Sequence, residues 1–155
     1  MGAGTRGRGP YSDPMRRGAT LIELLLVLVI IGILTAIAEP RLRGFNDSLA
    51  VDRAALEIVS AHRRARISAI LQSRIVELTI SAAELSIRPR GAAADVWRTP
   101  GPAAEGVTLA GPSHVIAFSP VGISIGLSNA SFPLSRGAAS RTVVVSRLGR
   151  VRIVP

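Results

Sequence analysis

Side chains capable of catalysis or metal binding are few in this 155-residue chain. Its two histidines, His62 and His114, lie far apart in the sequence, and it has no cysteine. We expect His62 on the arginine-rich, solvent-facing side of a helix and His114 in a loop rich in glycine and proline. Neither has a neighbouring carboxylate cluster that would complete a metal site or activate a nucleophile. The sequence therefore predicts no enzyme activity, no metal and no cofactor.

One charged residue, Glu23, stands inside an apolar run. Residues 19–38 make a stretch of 20 with this single charge. A helix of that length covers about 30 Å, the thickness of the hydrocarbon core of a bilayer. A carboxylate costs on the order of 2.5–3.5 kcal/mol at the bilayer centre, and somewhat less near the interface, unless it meets a cation. The sequence thus predicts a membrane-spanning segment in which Glu23 needs a positively charged partner.

The distribution of basic residues predicts the orientation of this segment. All 19 basic residues are arginines, and the formal net charge is +9. Four of them precede the apolar run and none lies within it: Arg6, Arg8, Arg16 and Arg17. Because basic residues stay on the cytoplasmic side, we expect a single span with the N-terminus cytoplasmic and the bulk of the chain outside. In a bacterium this means a span of the inner membrane and a periplasmic head domain.

Three simpler interpretations of the apolar run stay open on these grounds. A plain signal anchor accounts for its length and orientation but not for Glu23. A cleaved secretory signal fits the small residues Ala36 and Ala38, but the run exceeds the usual length of about 7–15 residues and contains a charge. A twin-arginine export signal at Arg16 and Arg17 would require bulky apolar residues next, where Gly-Ala-Thr stands.

The residues around Gly18 resemble a known processing site. The stretch RRGATLIEL, residues 16–24, closely resembles the site in type IV prepilins and type II secretion pseudopilins. The resemblance implies that prepilin peptidase cuts between Gly18 and Ala19, removes a leader of residues 1–18 and methylates the new amine. It also implies that Glu23, then fifth in the mature chain, pairs with the N-terminal amine of a neighbouring subunit and sets the assembly register.

A helical pattern continues beyond the membrane segment. Large apolar residues recur at spacings of three, four, seven or eight, and we expect this stripe to face a core: Leu42, Phe45, Leu49, Leu56, Val59, Ile67, Ile70 and Leu71. The helix should run from about residue 19 to about residue 73. Pro40 should kink or locally melt it, because proline lacks the N–H of an i to i−4 bond. Residues 19–40 then form the transmembrane and assembly helix, and 41–74 an amphipathic helix.

After Arg74 the apolar period changes to two, as in strands. The first predicted hairpin joins 76–80 to 85–87, and a terminal hairpin joins 142–147 to 150–154 around a Leu-Gly turn. Shorter strand candidates lie at 94–98, 106–110, 115–118 and 122–127. A long helix followed by strands predicts an α+β fold, in which the amphipathic half of the helix packs on one small antiparallel sheet in a head domain at 75–155.

Three further stretches of sequence resemble one particular group within this family. They are ARISAI at 65–70, IAFSPVG at 116–122 and VVVSRLGRVR at 143–152, and together they are similar to the GspH/FimT group of minor pseudopilins and minor pilins. The resemblance implies a pilin-like fold and the role of a minor pseudopilin in a type II secretion system, assembled near the tip of a periplasmic pseudopilus. The partners it implies are prepilin peptidase, other major and minor pseudopilins or pilins, and the inner membrane.

The arginines of the terminal hairpin favour an alternative. Arg150 and Arg152 should project to one face of an extended strand, about 7 Å apart, near the spacing of phosphates along a DNA strand, and Arg147 lies close to them. FimT-like minor pilins in DNA uptake are similar in carrying a basic C-terminal end. The alternative function is therefore a FimT-like minor pilin for type IV pilus biogenesis or DNA uptake, with DNA as a partner.

Two simpler hypotheses also stand. The arginines of the terminal hairpin would then form only a solvated face of the sheet. The chain as a whole would be a membrane-anchored periplasmic domain that does not polymerise.

Overall fold

A computed structural model describes residues 20–126, 129–146 and 148–155. The described chain begins with one long helix, α1, at Leu21–Leu71. Thr20 lies just before it, and its hydroxyl oxygen accepts a hydrogen bond from the Glu23 N–H at 3.2 Å. A threonine in this place satisfies one of the donors that the first turn of a helix leaves free. Contacts divide the chain into two compact units, with the boundary between Ala38 and Glu39.

Pro40 lies inside α1, and the helix continues through it. Proline removes one i to i−4 hydrogen bond, but a helix can continue past it when the other hydrogen bonds of that turn are made. Glu39 and Arg43, one turn apart across this position, form an ion pair. The predicted local melting at Pro40 is therefore wrong, whereas a kink there stays a prediction.

Nine strands follow α1 in the described part of the chain: β1 Val76–Ile80, β2 Glu84–Pro89, β3 Trp97–Pro100, β4 Thr108–Leu109, β5 His114–Phe118, β6 Ser124–Ile125, β7 Ala130–Arg136, β8 Ala139–Val145 and β9 Val151–Val154. They form two antiparallel sheets, a five-stranded sheet 1 in the order β3-β2-β1-β5-β6 and a four-stranded sheet 2 in the order β4-β7-β8-β9. A short 3-10 helix, Pro102–Glu105, lies between β3 and β4. The α+β class is confirmed, but the head has two sheets where one was predicted.

Both predicted hairpins are confirmed. In the first, Val76 pairs with Pro89 and Ile80 with Leu85. In the terminal hairpin Val145 pairs with Val151, although β8 begins earlier than predicted. The candidate at 115–118 is also confirmed, as β5, which starts one residue earlier at His114. The other three candidates shrink or shift, because glycine and proline break the runs between them: β3 starts later than predicted, and β4 and β6 have two residues each.

The sequence did not reveal β7, because Pro133 stands in its middle. The N–H and C=O of one residue in an antiparallel ladder serve the same neighbouring strand. The Pro133 carbonyl accepts a hydrogen bond from the N–H of Ala110 at 2.9 Å, and Ala110 directly follows the end of β4 at Leu109. The position where Pro133 lacks an N–H therefore also faces β4. The ladder with β8 is complete along the whole of β7. Proline is tolerated here because it removes no bond from that ladder.

The core of the second unit is one cluster of buried residues drawn from α1 and both sheets. The sheets supply the bulk, and Phe118 of β5 and Phe132 of β7 are the largest fully buried side chains. The helix supplies mostly small residues, the alanines at 50, 54, 55, 61, 65 and 69. Small side chains facing large ones fill the space between elements at the density of protein interiors.

Candidate assembly surface

Beyond Glu39, α1 has two apolar faces. The face against the sheets is buried and consists of Ala50, Val51, Ala54, Ala55, Ile58, Ala61, His62, Ala65 and Ala69. A second set of larger apolar side chains, here called the outward stripe, is more than half exposed: Leu42 (61%), Phe45 (62%), Leu56 (59%) and Ile67 (54%). A turn of about 100° per residue places the two sets on roughly opposite sides of the helix.

The outward stripe corrects the predicted core face of α1. Leu42, Phe45, Leu56 and Ile67 were expected to face the core, and so were Ile70 and Leu71, yet all are exposed, while Leu49 and Val59 are only partly buried. Helical period reveals that a face exists but not what covers it. The sheets bring their own bulky side chains, so the alanine face fits them and the leucine face is left outside. A row of large exposed apolar side chains is therefore a candidate surface for contact with another macromolecule.

The first half of α1 is apolar on every side. It contains an 18-residue window of mean hydropathy 2.9 in which no residue is buried, and it is long and apolar enough to cross a membrane. The described residues from 21 to 38 are all exposed, Glu23 among them. Gly18 and Ala19, the predicted processing residues, lie outside the described residues.

Glu23 has a local role that the sequence reasoning missed. It stands at the third helical position with its N–H bonded to the Thr20 hydroxyl, and the Leu24 N–H donates to the Thr20 carbonyl at 3.1 Å. Thr-x-x-Glu is the spacing of a capping box, and this was the signal available in the sequence. A negative charge in the first turn also complements the helix dipole. Glu23 therefore suits the start of a helix as well as the role of a charged partner for a neighbour.

The C-terminal arginines share one surface. Arg150 and Arg152 are exposed and border an open depression whose other lining residues are Asn129, Val144, Ser146 and Leu148. The Arg150 N–H donates to the Ser146 hydroxyl at 3.1 Å, and the Ser146 N–H donates to the Arg150 carbonyl at 2.8 Å, which fixes the turn before β9. Neither guanidinium forms an ion pair with a carboxylate in the described chain. Arg147 lies outside the described residues.

Both histidines differ from expectation. His62 is buried, only 2% exposed, with its ring edge-on to Phe118 at 4.9 Å. Its Nε2 has no hydrogen-bond partner among the described residues. Burial, and then the nearby charges of Arg66 and Arg63, lower its pKa from 6.5 to about 4. The prediction of a surface His62 is wrong because the buried face of α1 passes through this position.

His114 lies at the start of β5 and not in a loop. Its ring contacts that of Phe132 edge-on at 5.3 Å, so it packs between the two sheets. Among the described residues, no group of three or more histidine, aspartate and glutamate side chains could hold a metal ion.

Two families match this chain. Residues 13–38 match the family described as prokaryotic N-terminal methylation motif, and residues 54–149 match the family described as Type II transport protein GspH. The first match covers the segment around Glu23, and the second covers the buried half of α1 and most of both sheets. Together they include both the apolar segment and the head.

Proteins similar to this chain include examples from Thermus thermophilus and Pseudomonas aeruginosa. The chain is 32% identical to the pilin-like protein PilA1 of Thermus thermophilus, over 89% of this chain and 98% of the relative. It is 48% identical to a fimbrial protein of Pseudomonas aeruginosa over 59 residues, 38% of each chain. In fold it is similar to the crystal structure of the type IV minor pilin FimU of Pseudomonas aeruginosa, with a TM-score of 0.57 at 21% identity over 68% of this chain and 88% of that one.

Proposed function

This chain belongs to the GspH/FimT-like family of minor pilins, and from that premise we propose that it is a minor pseudopilin of a type II secretion system. Prepilin peptidase cuts between Gly18 and Ala19 and methylates the new amine. The chain spans the inner membrane with its N-terminus cytoplasmic and its head domain periplasmic, and then enters a pseudopilus near its tip. The match to the Type II transport protein GspH over 54–149 supports secretion as its setting.

The observation that carries the proposal is the outward stripe of α1. A subunit that worked alone would leave Leu42, Phe45 and Leu56 in water, each more than half exposed. Full burial of such a side chain contributes about 1.5–3 kcal/mol, so neighbours that cover the stripe stabilise a polymer. For the apolar N-terminal half of α1, lipid and the helices of neighbouring subunits are equally apolar surroundings. A subunit that leaves the membrane for a filament therefore exchanges one apolar environment for another.

Glu23 supplies the register in this proposal. A carboxylate without a cation is costly in an apolar environment, and one that meets an ammonium group recovers much of that energy. The amine created at Ala19 of a neighbouring subunit is such a cation. Subunits aligned so that this amine meets Glu23 are favoured over misaligned ones.

The stripe is tested by Leu56→Asp. Because Leu56 is 59% exposed, the substitution should leave the head folded, whereas incorporation into the pseudopilus and protein secretion should be lost. The measurement is the amount of chain in purified filaments, together with secreted protein in the medium. Val96→Asp, at 54% exposure in the head, is the matched control and should assemble normally. Equal incorporation of both variants would overturn the assembly role of the stripe.

A second candidate function is that of a FimT-like minor pilin that binds DNA. The observation that favours it is the pair Arg150 and Arg152, exposed on one surface without carboxylate partners in the described chain. Replacing both with Ala should abolish salt-dependent binding of duplex DNA. Arg90→Ala is the control, because Arg90 already pairs with Glu77 at 2.9 Å. If the unmodified protein retains no DNA even at low salt, this candidate is wrong.

The secretion and pilus hypotheses also predict different effects of deleting the gene. Deleting the gene should stop protein secretion if the chain is a pseudopilin, and should stop pilus formation or DNA uptake if it is a type IV minor pilin. A membrane-anchored domain that does not polymerise would leave all three processes intact.

A further inference from the structure

The end of α1 carries an exposed apolar cluster that continues onto sheet 1. Its five members, here called the helix-end cluster, are Ile67 (54% exposed), Ile70 (46%), Leu71 (79%), Val121 (72%) and Ile123 (52%). The last two flank Gly122 in the turn between β5 and β6. A Cβ atom at Gly122 would lie 2.8 Å from Cδ1 of Ile70, so this turn rests directly on the helix. The cluster is therefore one surface built from two elements.

The charges that the end of the helix contributes beside this cluster are all positive. Residues 58–74 contain four arginines and no acidic residue. Arg66 stands at the cluster, since its Nε would be 3.2 Å from a Cβ at Gly122, and Arg63 and Arg74 precede and follow the cluster's helical residues. Arg64 points elsewhere, with its guanidinium 5.2 Å from the ring centre of Trp97. None of the four forms an ion pair with a carboxylate in the described chain.

We propose that the helix-end cluster is a docking surface for a different pilin-like subunit, one that presents an apolar patch bordered by carboxylates, and not for a second copy of this chain. The inference rests on the proposed assembly function and names the partner of one part of the assembly surface. Apolar side chains at the centre with charges around them is the usual anatomy of a protein interface. Here the charges select the partner, because complementary potentials favour one neighbour and repel another.

A second copy does not offer the required carboxylates. Of the described acidic residues after Ala38, all but Glu57 and Glu105 are already in ion pairs. Those two line one depression together with Arg53, so their charge is partly offset where they stand. Once residues 1–18 are set aside, the chain has 15 arginines against nine acidic residues, so it stays basic. A copy would therefore bring arginines to arginines, which is unfavourable at close range.

The partner is tested by crosslinking in cells that make the complete secretion apparatus. A photo-crosslinking amino acid replaces Ile70 in the full chain, and the adduct is identified by mass spectrometry. The expected adduct joins this chain to another subunit with an N-terminal methylation signature. Reversing two charges, Arg63→Glu with Arg66→Glu, should lower the yield about tenfold or more. Arg53→Glu, on the same helix but away from the cluster, is the control and should leave the yield unchanged.

Restoration by the partner completes the test. Replacing the carboxylates at the crosslinked site of the sister subunit with arginine should recover the adduct in the charge-reversed chain. An adduct between two copies of this chain, a yield unaffected by charge reversal, or no adduct at Ile70 would each overturn the inference. If the unmodified chain still enters the filament in those cases, the proposed function stands and only this surface is misassigned.

Discussion

Glu23 has two compatible roles, one through its backbone N–H and the other through its carboxylate. Near the start of α1 it completes a capping arrangement with Thr20, whose hydroxyl accepts the Glu23 N–H. In an apolar environment the same carboxylate is costly until a cation reaches it. The first role needs only the local backbone, while the second needs another chain. Variants that separate the two roles are therefore informative.

Glu23→Gln should abolish incorporation into filaments while leaving the membrane segment in place. Glutamine keeps the size and the helix propensity of glutamate but removes the charge that meets the neighbour's amine. Thr20→Ala is the control, since it removes the cap, worth about 1 kcal/mol, and keeps the carboxylate. Filament content is measured by immunoblotting of sheared fractions. Full incorporation of the glutamine variant would show that the pairing is unnecessary.

His62 should make the stability of the head depend on pH. Its folded-state pKa of about 4 lies below the ordinary 6.5, so the unfolded chain binds the proton first. The stabilisation is complete above pH 6.5 and is lost as the pH falls toward 4, by about 3 kcal/mol at about 1.4 kcal/mol per pKa unit. Chemical unfolding of the full chain in mild detergent, followed by the fluorescence of Trp97, measures this change.

His62→Leu should flatten that pH dependence, because leucine fills the buried site beside Phe118 without a titratable group. Asp95 does not interfere in this range. Hydrogen bonds from Arg88 and then Arg98 lower its pKa below the usual 3.8, so its contribution is lost only at more acidic pH. An unchanged slope between pH 6.5 and 4 in the leucine variant would exclude His62 as the cause.

Two faces of α1 differ in their side chains and in the role we propose for each. Alanines pack against the sheets, where Phe118 and Phe132 supply the volume, and leucines and isoleucines face outward. Ion pairs of Asp47 with Arg136 and of Asp52 with Arg141, both 2.9 Å, link the helix to sheet 2. Substitutions on the inner face should therefore act on stability, and those on the outer face on assembly.

The adjacent residues Ala55 and Leu56 test this division. Ala55 is fully buried, so Ala55→Leu forces extra volume into a packed core and should destabilise the head by about 1–3 kcal/mol. Leu56→Ala, on the exposed side, should change the free energy of unfolding by less than about 0.5 kcal/mol. Urea unfolding monitored at Trp97 compares them. Equal destabilisation by both changes would contradict the assignment of the two faces.

The whole chain combines an apolar N-terminal segment with a basic head. Each of the two compact units has its own character: in the first, the described residues 21–38 are helical, apolar and exposed, and in the second, the residues from Glu39 onward contain the core. Of the charge, 15 arginines against nine acidic residues remain once residues 1–18 are set aside. Such a chain suits a subunit that is anchored first and assembled afterwards.

Prepilin peptidase alone should convert this chain into its mature form, by cleavage and methylation. When it is co-produced with prepilin peptidase, intact-mass and N-terminal analysis should find a chain that begins at methylated Ala19. Gly18→Leu should block the cut, because the proposed cleavage falls directly after this glycine. An intact Met1 in the presence of the peptidase, or a terminus at Glu39, would contradict the proposed maturation.

Features that depend on neighbouring residues along the chain were predictable from the sequence. The apolar run, the long helix, the first and last hairpins and the resemblance at the N-terminus follow from composition, period and short motifs. Thr20 and Glu23 belong to the same class, since their spacing reveals the cap. The family was therefore accessible before the fold.

Only the tertiary structure decided which face of α1 is covered and which side chains are thereby buried. Helical period predicts one stripe of bulky apolar residues against the core, and that prediction is wrong, because Phe118 and Phe132 on the sheets supply the bulk and the alanine face packs against them. Tertiary packing also buries His62 against Phe118, places Pro133 within β7 and brings Gly122 beside Ile70. Such outcomes depend on residues far apart in the chain, and no local pattern encodes them.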